Sequence, residues 1–179
     1  MRWQEVNREI ATRLAGSAAL ADERPIMVVD SVRQQLHWID IDDELNRCYP
    51  VSTAANGMGN QVDTYKTPIG IHRVRQKIGG GAPRGMVFEA RKPSGRITGN
   101  LDNREQDEIT SRILWLDGLE PGVNQGGDCD TYSRYIYIHG TSDEKRIGEA
   151  VSAGCIRMNN DDVIELFEDV LVNDLVLIR

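Results

Sequence analysis

Apolar residues follow two rhythms along this chain. Trp3, Val6, Ile10 and Leu14 recur at three- and four-residue steps among Glu5, Arg8, Glu9 and Arg13, the spacing of an amphipathic helix with one apolar face. From residue 26 onward the pattern changes. IMVVD (26–30), QLHWID (35–40), RCYPVST (47–53), IHRVR (71–75), MVFEA (86–90), ITSRILWL (109–116), RYIYIH (134–139) and DLVLIR (174–179) are short, β-branched and aromatic runs bounded by turn formers. Each reads as a strand. Helical spacing returns once, in DDVIELFEDVLV (161–172), with Asn160 placed as N-cap and Asp161 and Asp162 at the positive end of the helix dipole. Many short strands with few helices predict a mainly β fold, a sandwich or a barrel.

A length of 179 residues favours one domain with a core large enough to need no staples. Residues 1–24 read as an N-terminal helix and polar linker, and 25–179 as the body. Net charge is −7, from 21 basic and 28 acidic residues, which disfavours nucleic acid and anionic membranes as partners. No apolar run approaches the roughly 20 residues of a membrane helix, so membrane insertion is not expected. The charges inside the first sixteen residues do not fit a secretory signal. The expected compartment is the cytoplasm, or the periplasm if the natural sequence continues upstream.

Three cysteines, Cys48, Cys129 and Cys155, form no CxxC pair and no zinc-knuckle spacing. A disulfide framework is therefore not expected, although one pair stays open. Neither glycine-rich segment, GMGNQ nor IGGGAPRG, fits a nucleotide-binding loop. They read as mobile loops flanking a cleft. No cofactor and no metal site is expected, since the histidines form neither HxH nor HxxxH.

The chemistry concentrates at His139 and Cys155. A thiol attacks acyl carbon as thiolate, and a nearby imidazole can take its proton and return it to a leaving amine. His139 ends a predicted strand. Cys155 is read into the turn that enters the last helix, where the dipole and backbone N–H groups favour a thiolate, and Gly154 leaves room for an oxyanion hole. Spacing alone also fits a small core cysteine before a helix. His37 and His72 fall in strand patterns, as surface or satisfied residues. Cys129, ten residues before His139, receives no catalytic role.

HGT (139–141) followed by SAGCIRM (152–158) resembles the active-site signature of the YkuD-type L,D-transpeptidase family, a histidine some fifteen residues before S/T-H-G-C. IMVVDSVRQQLHWI, YPVSTAANG, TPIG (67–70), RYIYIHGT, CIRMNNDDVIELF and DLVLIR are similar to family segments in the same order, over residues 26–179. The resemblance implies a β-sandwich of mixed sheets with few helices. It also implies a cysteine acyl-transfer enzyme that cleaves the diamino acid–D-alanine bond of peptidoglycan tetrapeptide stems through a thioester. On that pattern Cys155 is the nucleophile and His139 the base. The Gly140 carbonyl orients the histidine, the N–H groups of Gly154 and Cys155 bind the oxyanion, and Ser152 gives local support. Arg157 either meets a substrate carboxylate or pairs with a buried acid; Arg134 and Arg73 are further candidate cations at the cleft. Ala153 stands where the family has histidine.

Water as acceptor makes the enzyme an L,D-carboxypeptidase of muropeptide recycling, the outcome expected for a cytoplasmic protein. An amine makes it a transpeptidase forming 3-3 cross-links or exchanging D-amino acids. The expected partners are stem peptides or muropeptides. The competing classes are a wall-binding module that has lost activity and a thiol redox or metal protein.

Overall fold

The strand rhythm becomes ten strands in a computed structural model, which describes residues 2–14, 24–42, 46–98 and 108–179. In chain order they follow helix α1 (Trp3–Arg13): β1 (Ile26–Asp30), β2 (Gln35–Ile39), β3 (Arg47–Ser52), β4 (Gly70–Ile78), β5 (Met86–Glu89), β6 (Lys92–Ile97), β7 (Ile109–Gly118), β8 (Tyr137–Thr141) and β9 (Ile156–Met158). Helix α2 (Asn160–Asp169) and β10 (Leu175–Ile178) close the chain.

All ten belong to one mixed sheet, ordered β4-β10-β1-β2-β3-β9-β8-β7-β5-β6, and β4 also pairs with β7. The expected sandwich is thus one continuous sheet folded onto itself, with the β5–β6 hairpin hanging from β7. Pairs β1–β10 and β8–β9 are parallel, whereas the pairings of β4 with β7 and β10 are antiparallel.

Side-chain alternation sorts the apolar residues into three clusters. Inside the folded sheet, Val29, Leu36, Val51, Leu114, Ile138 and Met158 pack with Val163, Leu166 and Phe167 of α2. On one outer face Val6, Ile10 and Leu14 cover Ile26, Val28, Ile39, Ile71 and Leu177. Strand β1 is therefore covered on both sides, and every residue of IMVVD is buried. The third cluster holds Phe88, Ile113, Trp115 and Tyr137, with Cys155 packed against it. Ile113 and Trp115 alternate with Leu114 along β7, so this cluster lies on the face opposite the inner core. The linker expected before residue 25 falls mostly outside the described residues. No described helix is long and apolar enough to cross a membrane.

Helix α2 departs from expectation at both ends. It begins at Asn160, so Asn159 is the N-cap, and Asn159 makes no side-chain capping bond. Glu144 does the capping instead, its Oε1 accepting the Asn160 N–H at 2.6 Å. The helix stops at Asp169 rather than 172, where the Lys77 ammonium donates to the carbonyls of Phe167 and Val170 at 2.7 and 2.5 Å, a charged cap on the negative end. Two strands carry no readable signal. Five of the six residues of β6 are exposed, and it exists because the two-residue turn Ala90–Arg91, both residues at positive φ (46° and 67°), folds it back on β5. Strand β9 has only three residues, between Cys155 and α2.

Candidate active site

Parallel pairing of β8 and β9 sets the site. His139 lies opposite Arg157, and Ile138 opposite Ile156. By alternation, Tyr137 and His139 share a sheet face with Cys155 and Arg157. His139 is the middle residue of β8, not its end, because the strand runs from Tyr137 to Thr141. It is 2% exposed, and its Nδ1 lies 2.7 Å from the Gly140 carbonyl oxygen. A carbonyl only accepts, so Nδ1 carries the proton and Nε2 keeps its lone pair.

Cys155 is partly exposed, and its sulfur packs along the backbone of the preceding tyrosine run. Tyr137 N–H points at Sγ from 3.4 Å, and Sγ lies 3.5 Å from the Tyr135 carbonyl. The first contact favours a thiolate. The second accepts the S–H of the thiol. Tyr135 reaches this position in the left-handed region, at φ 57°, a local cost of the kind that collects at functional sites.

The loop before Cys155 is fixed by Ser152. Its hydroxyl donates to the Cys155 carbonyl at 2.6 Å and accepts from the Gly154 N–H at 3.2 Å. Ser152 is tied in turn to the VSTAANG segment: its N–H donates to Thr53 O and its carbonyl accepts from Ala55 N–H, both at 2.9 Å. Gly154 has φ 130°, and a Cβ there would come within 3.3 Å of Ile136 Cδ1. Ala153 is exposed.

The three arginines separate. Arg134 donates to the carbonyls of Asn60 and Lys66 at 2.9 and 2.7 Å, stapling the first glycine-rich loop beside the site. Burial pushes its pKa down, and negative charge on the Cys129 or Cys155 sulfur acts in the opposite sense. Arg157 is buried in β9 between His139 of β8 and Ser52 of β3. Arg73 donates to Asp117 through Nε and Nη2 at 3.0 and 2.7 Å.

One electrostatic expectation fails. Cys155 precedes strand β9, not helix α2, and three extended residues, about 10 Å, separate it from a dipole whose effect fades within one turn. The other cysteines are unpaired: Cys48 is exposed, and Cys129 is buried with Sγ 3.1 Å from Gly126 O. His72 is fully buried and bonded at both nitrogens, to Gly70 O at 3.0 Å and Thr131 Oγ1 at 3.1 Å.

Asn160, read in the sequence only as a cap, is a buried hub. Its Oδ1 accepts from Thr110 Oγ1 and Ser111 Oγ at 2.7 and 2.5 Å. Its Nδ2 donates to Thr141 O and Glu144 Oε1 at 2.9 and 2.8 Å. No pattern flags such a role beyond a polar residue adjoining an apolar helix face. Also unforeseen is the aromatic wall beside the cysteine. Trp115 stacks on Tyr132 at 4.1 Å and meets Tyr137 edge-on at 5.4 Å.

These parts can perform acyl transfer: a thiol, an imidazole on the same face whose Nδ1 carries the proton, and a loop held by its own hydroxyl bond. Comparison with known proteins gives the family. Residues 24–178 match the YkuD L,D-transpeptidase catalytic domain. The chain belongs to that family. It is 50% identical over 48 residues to the Bacillus subtilis (strain 168) protein YqjB, named as an L,D-transpeptidase, a stretch covering 27% of this chain and 27% of YqjB. The B. subtilis protein YkuD, named likewise, is 50% identical over 48 residues, 24% of this chain and 29% of that protein. Among solved structures, L,D-transpeptidase 3 from Mycobacterium tuberculosis superposes with a TM-score of 0.54 at 15% identity, over 87% of this chain and 60% of its own. The Enterococcus faecium L,D-transpeptidase superposes at 0.51 and 15% identity, over 88% and 50%. At such identities these two structures speak to the fold alone.

Proposed function

We propose that this chain is a cysteine acyl-transfer enzyme acting on the diamino acid–D-alanine bond of peptidoglycan tetrapeptide stems. The observation that carries the reading is the 2.7 Å contact between His139 Nδ1 and the Gly140 carbonyl, which leaves Nε2 as the base on the face that also holds Cys155. In the first step the thiol proton passes to His139 Nε2 while Sγ forms a bond to the acyl carbon. The oxyanion is held by backbone N–H groups at Cys155 and Gly154, the latter exchanging its long contact with Ser152 Oγ. Collapse breaks the C–N bond, and the imidazolium returns its proton to the departing amine. A thioester on Cys155 remains.

Water resolves the thioester to a tripeptide; an amine resolves it to a cross-link or an exchanged D-amino acid. The test is incubation with a disaccharide-tetrapeptide, with and without a D-amino acid, followed by product masses. Tripeptide alone identifies a carboxypeptidase, and exchanged or dimeric products a transpeptidase. Conversion by Cys155→Ala equal to that of the wild type overturns the reading.

A further inference from the structure

Two arginines bracket the aromatic wall beside Cys155. Arg75 lies over the Tyr132 ring at 4.0 Å, and Arg91 lies over both Trp115 and Tyr135 at 5.0 Å. Their electrostatic situations differ. Arg75 has a counter-ion, Asp117 at 3.6 Å. Among the described residues Arg91 meets no carboxylate; its one hydrogen bond goes to the Tyr137 hydroxyl at 3.4 Å. Arg73, Arg84 and Arg96, by contrast, all pair with acids.

The turn that delivers Arg91 is built in a costly way. Two-residue hairpin turns of this kind favour Asn-Gly because both residues need positive φ. Here Ala90 and Arg91 occupy them, at 46° and 67°, so the arginine is held in a backbone conformation that glycine would adopt without strain. The position is also tied to the nucleophile. Tyr137 gives its N–H to Cys155 Sγ, and its hydroxyl oxygen accepts from Arg91, so one tyrosine links the guanidinium to the sulfur.

We infer that Arg91 is a substrate-binding residue that recognises a carboxylate flanking the scissile amide of the acyl-donor peptide; this rests on the acyl-transfer reading above. A guanidinium over π faces is partly desolvated and keeps its in-plane N–H groups for bidentate contact with a carboxylate. Two carboxylates of the donor have this chemistry: that of the terminal D-alanine, and that on the side chain of the diamino acid.

The experiment uses full-length Cys155→Ala protein, which binds without turnover, and three peptides: the tetrapeptide, its C-terminal carboxamide and its diamino-acid side-chain carboxamide. Calorimetric titration is expected to show one amide binding at least tenfold more weakly than the free acid, and which amide it is names the carboxylate. Adding Arg91→Gln should weaken the free acid by a similar factor and abolish its advantage over that amide. Arg91→Lys should recover part of it. Unchanged melting temperature and unchanged alkylation of Cys155 in an Arg91→Gln single variant exclude misfolding as the cause. Equal affinities for all three peptides overturn the assignment, as does an Arg91→Gln protein that keeps the discrimination. Failure of the wild type to cleave, with carboxylate-dependent binding intact, strikes the reaction and leaves Arg91; cleavage indifferent to Arg91 does the reverse. Absence of binding strikes both.

Discussion

Asn160 fills the space that a side chain on Gly140 would need. A Cβ on Gly140 would lie 2.7 Å from Asn160 Oδ1 and 2.7 Å from the Thr110 carbonyl. The same glycine supplies the carbonyl that fixes the His139 tautomer, so the hub under β8 and the imidazole above it are one mechanical unit. Gly140→Ala is expected to cost about 1–3 kcal/mol of stability by overpacking. It should also lower kcat more than it raises KM, because the carbonyl moves with the strand. Chemical denaturation and steady-state kinetics check both.

Asn160→Ala removes a group that satisfies two hydroxyls, a carbonyl and a carboxylate. Leaving buried partners unmet costs about 1–3 kcal/mol each where water cannot reach them. A net loss of about 3 kcal/mol is expected by denaturation, with kcat reduced in the folded fraction. Asn160→Asp should not rescue, since its carboxylate would face Glu144.

Cys155→Ala should abolish conversion and any acyl-enzyme seen by mass spectrometry. His139→Gln keeps the volume and removes the base, and a loss of about 10²–10⁴ in kcat is expected. Retention of wild-type activity by either variant would remove that residue from the chemistry.

Arg134→Ala should release the loop that its guanidinium holds at Asn60 and Lys66. Faster amide exchange across residues 57–67 and a reduced rate of Cys155 alkylation are the expected readouts. Arg134→Lys, with a single ammonium in place of the fork, should restore only part of each.

His72 predicts an acid weakness. Burial holds its pKa down, to about 3, against an ordinary value of 6.5. The folded state therefore keeps it neutral while the unfolded chain protonates below pH 6.5. Its contribution to stability is complete above that pH and is lost as pH falls toward 3, at about 1.4 kcal/mol per unit. The pH dependence of the unfolding free energy should be steep between 6 and 4 in the wild type and flatter in His72→Gln.

The strand rhythm was readable where a sustained apolar run met a core. IMVVD and ITSRILWL became β1 and β7 because apolar periodicity reports burial directly. Strand β6 left no trace, since it is mostly exposed with no apolar alternation and its pairing is dictated by the Ala90–Arg91 turn. Cys155 and His139 could be picked out as a motif, but their setting could not. Three residues of β9, a parallel pairing and a carbonyl contact come from chain segments that spacing does not relate. The helix-dipole expectation failed for that reason: local sequence placed Cys155 beside a helix, and the sheet put a strand between them.

Pairing of β4 with both β10 and β7 has a consequence for ligands. Closure of the sheet in this way leaves β6 as its terminal strand among the described residues. There Pro93 lacks an N–H to give, and Lys92 and Arg96 flank it. Backbone-to-backbone strand addition, one way for a β protein to hold a peptide, is thereby disfavoured at that edge. Under the function proposed above, discrimination among peptides falls to side chains and loops on the Cys155 face, where a single substitution can change it.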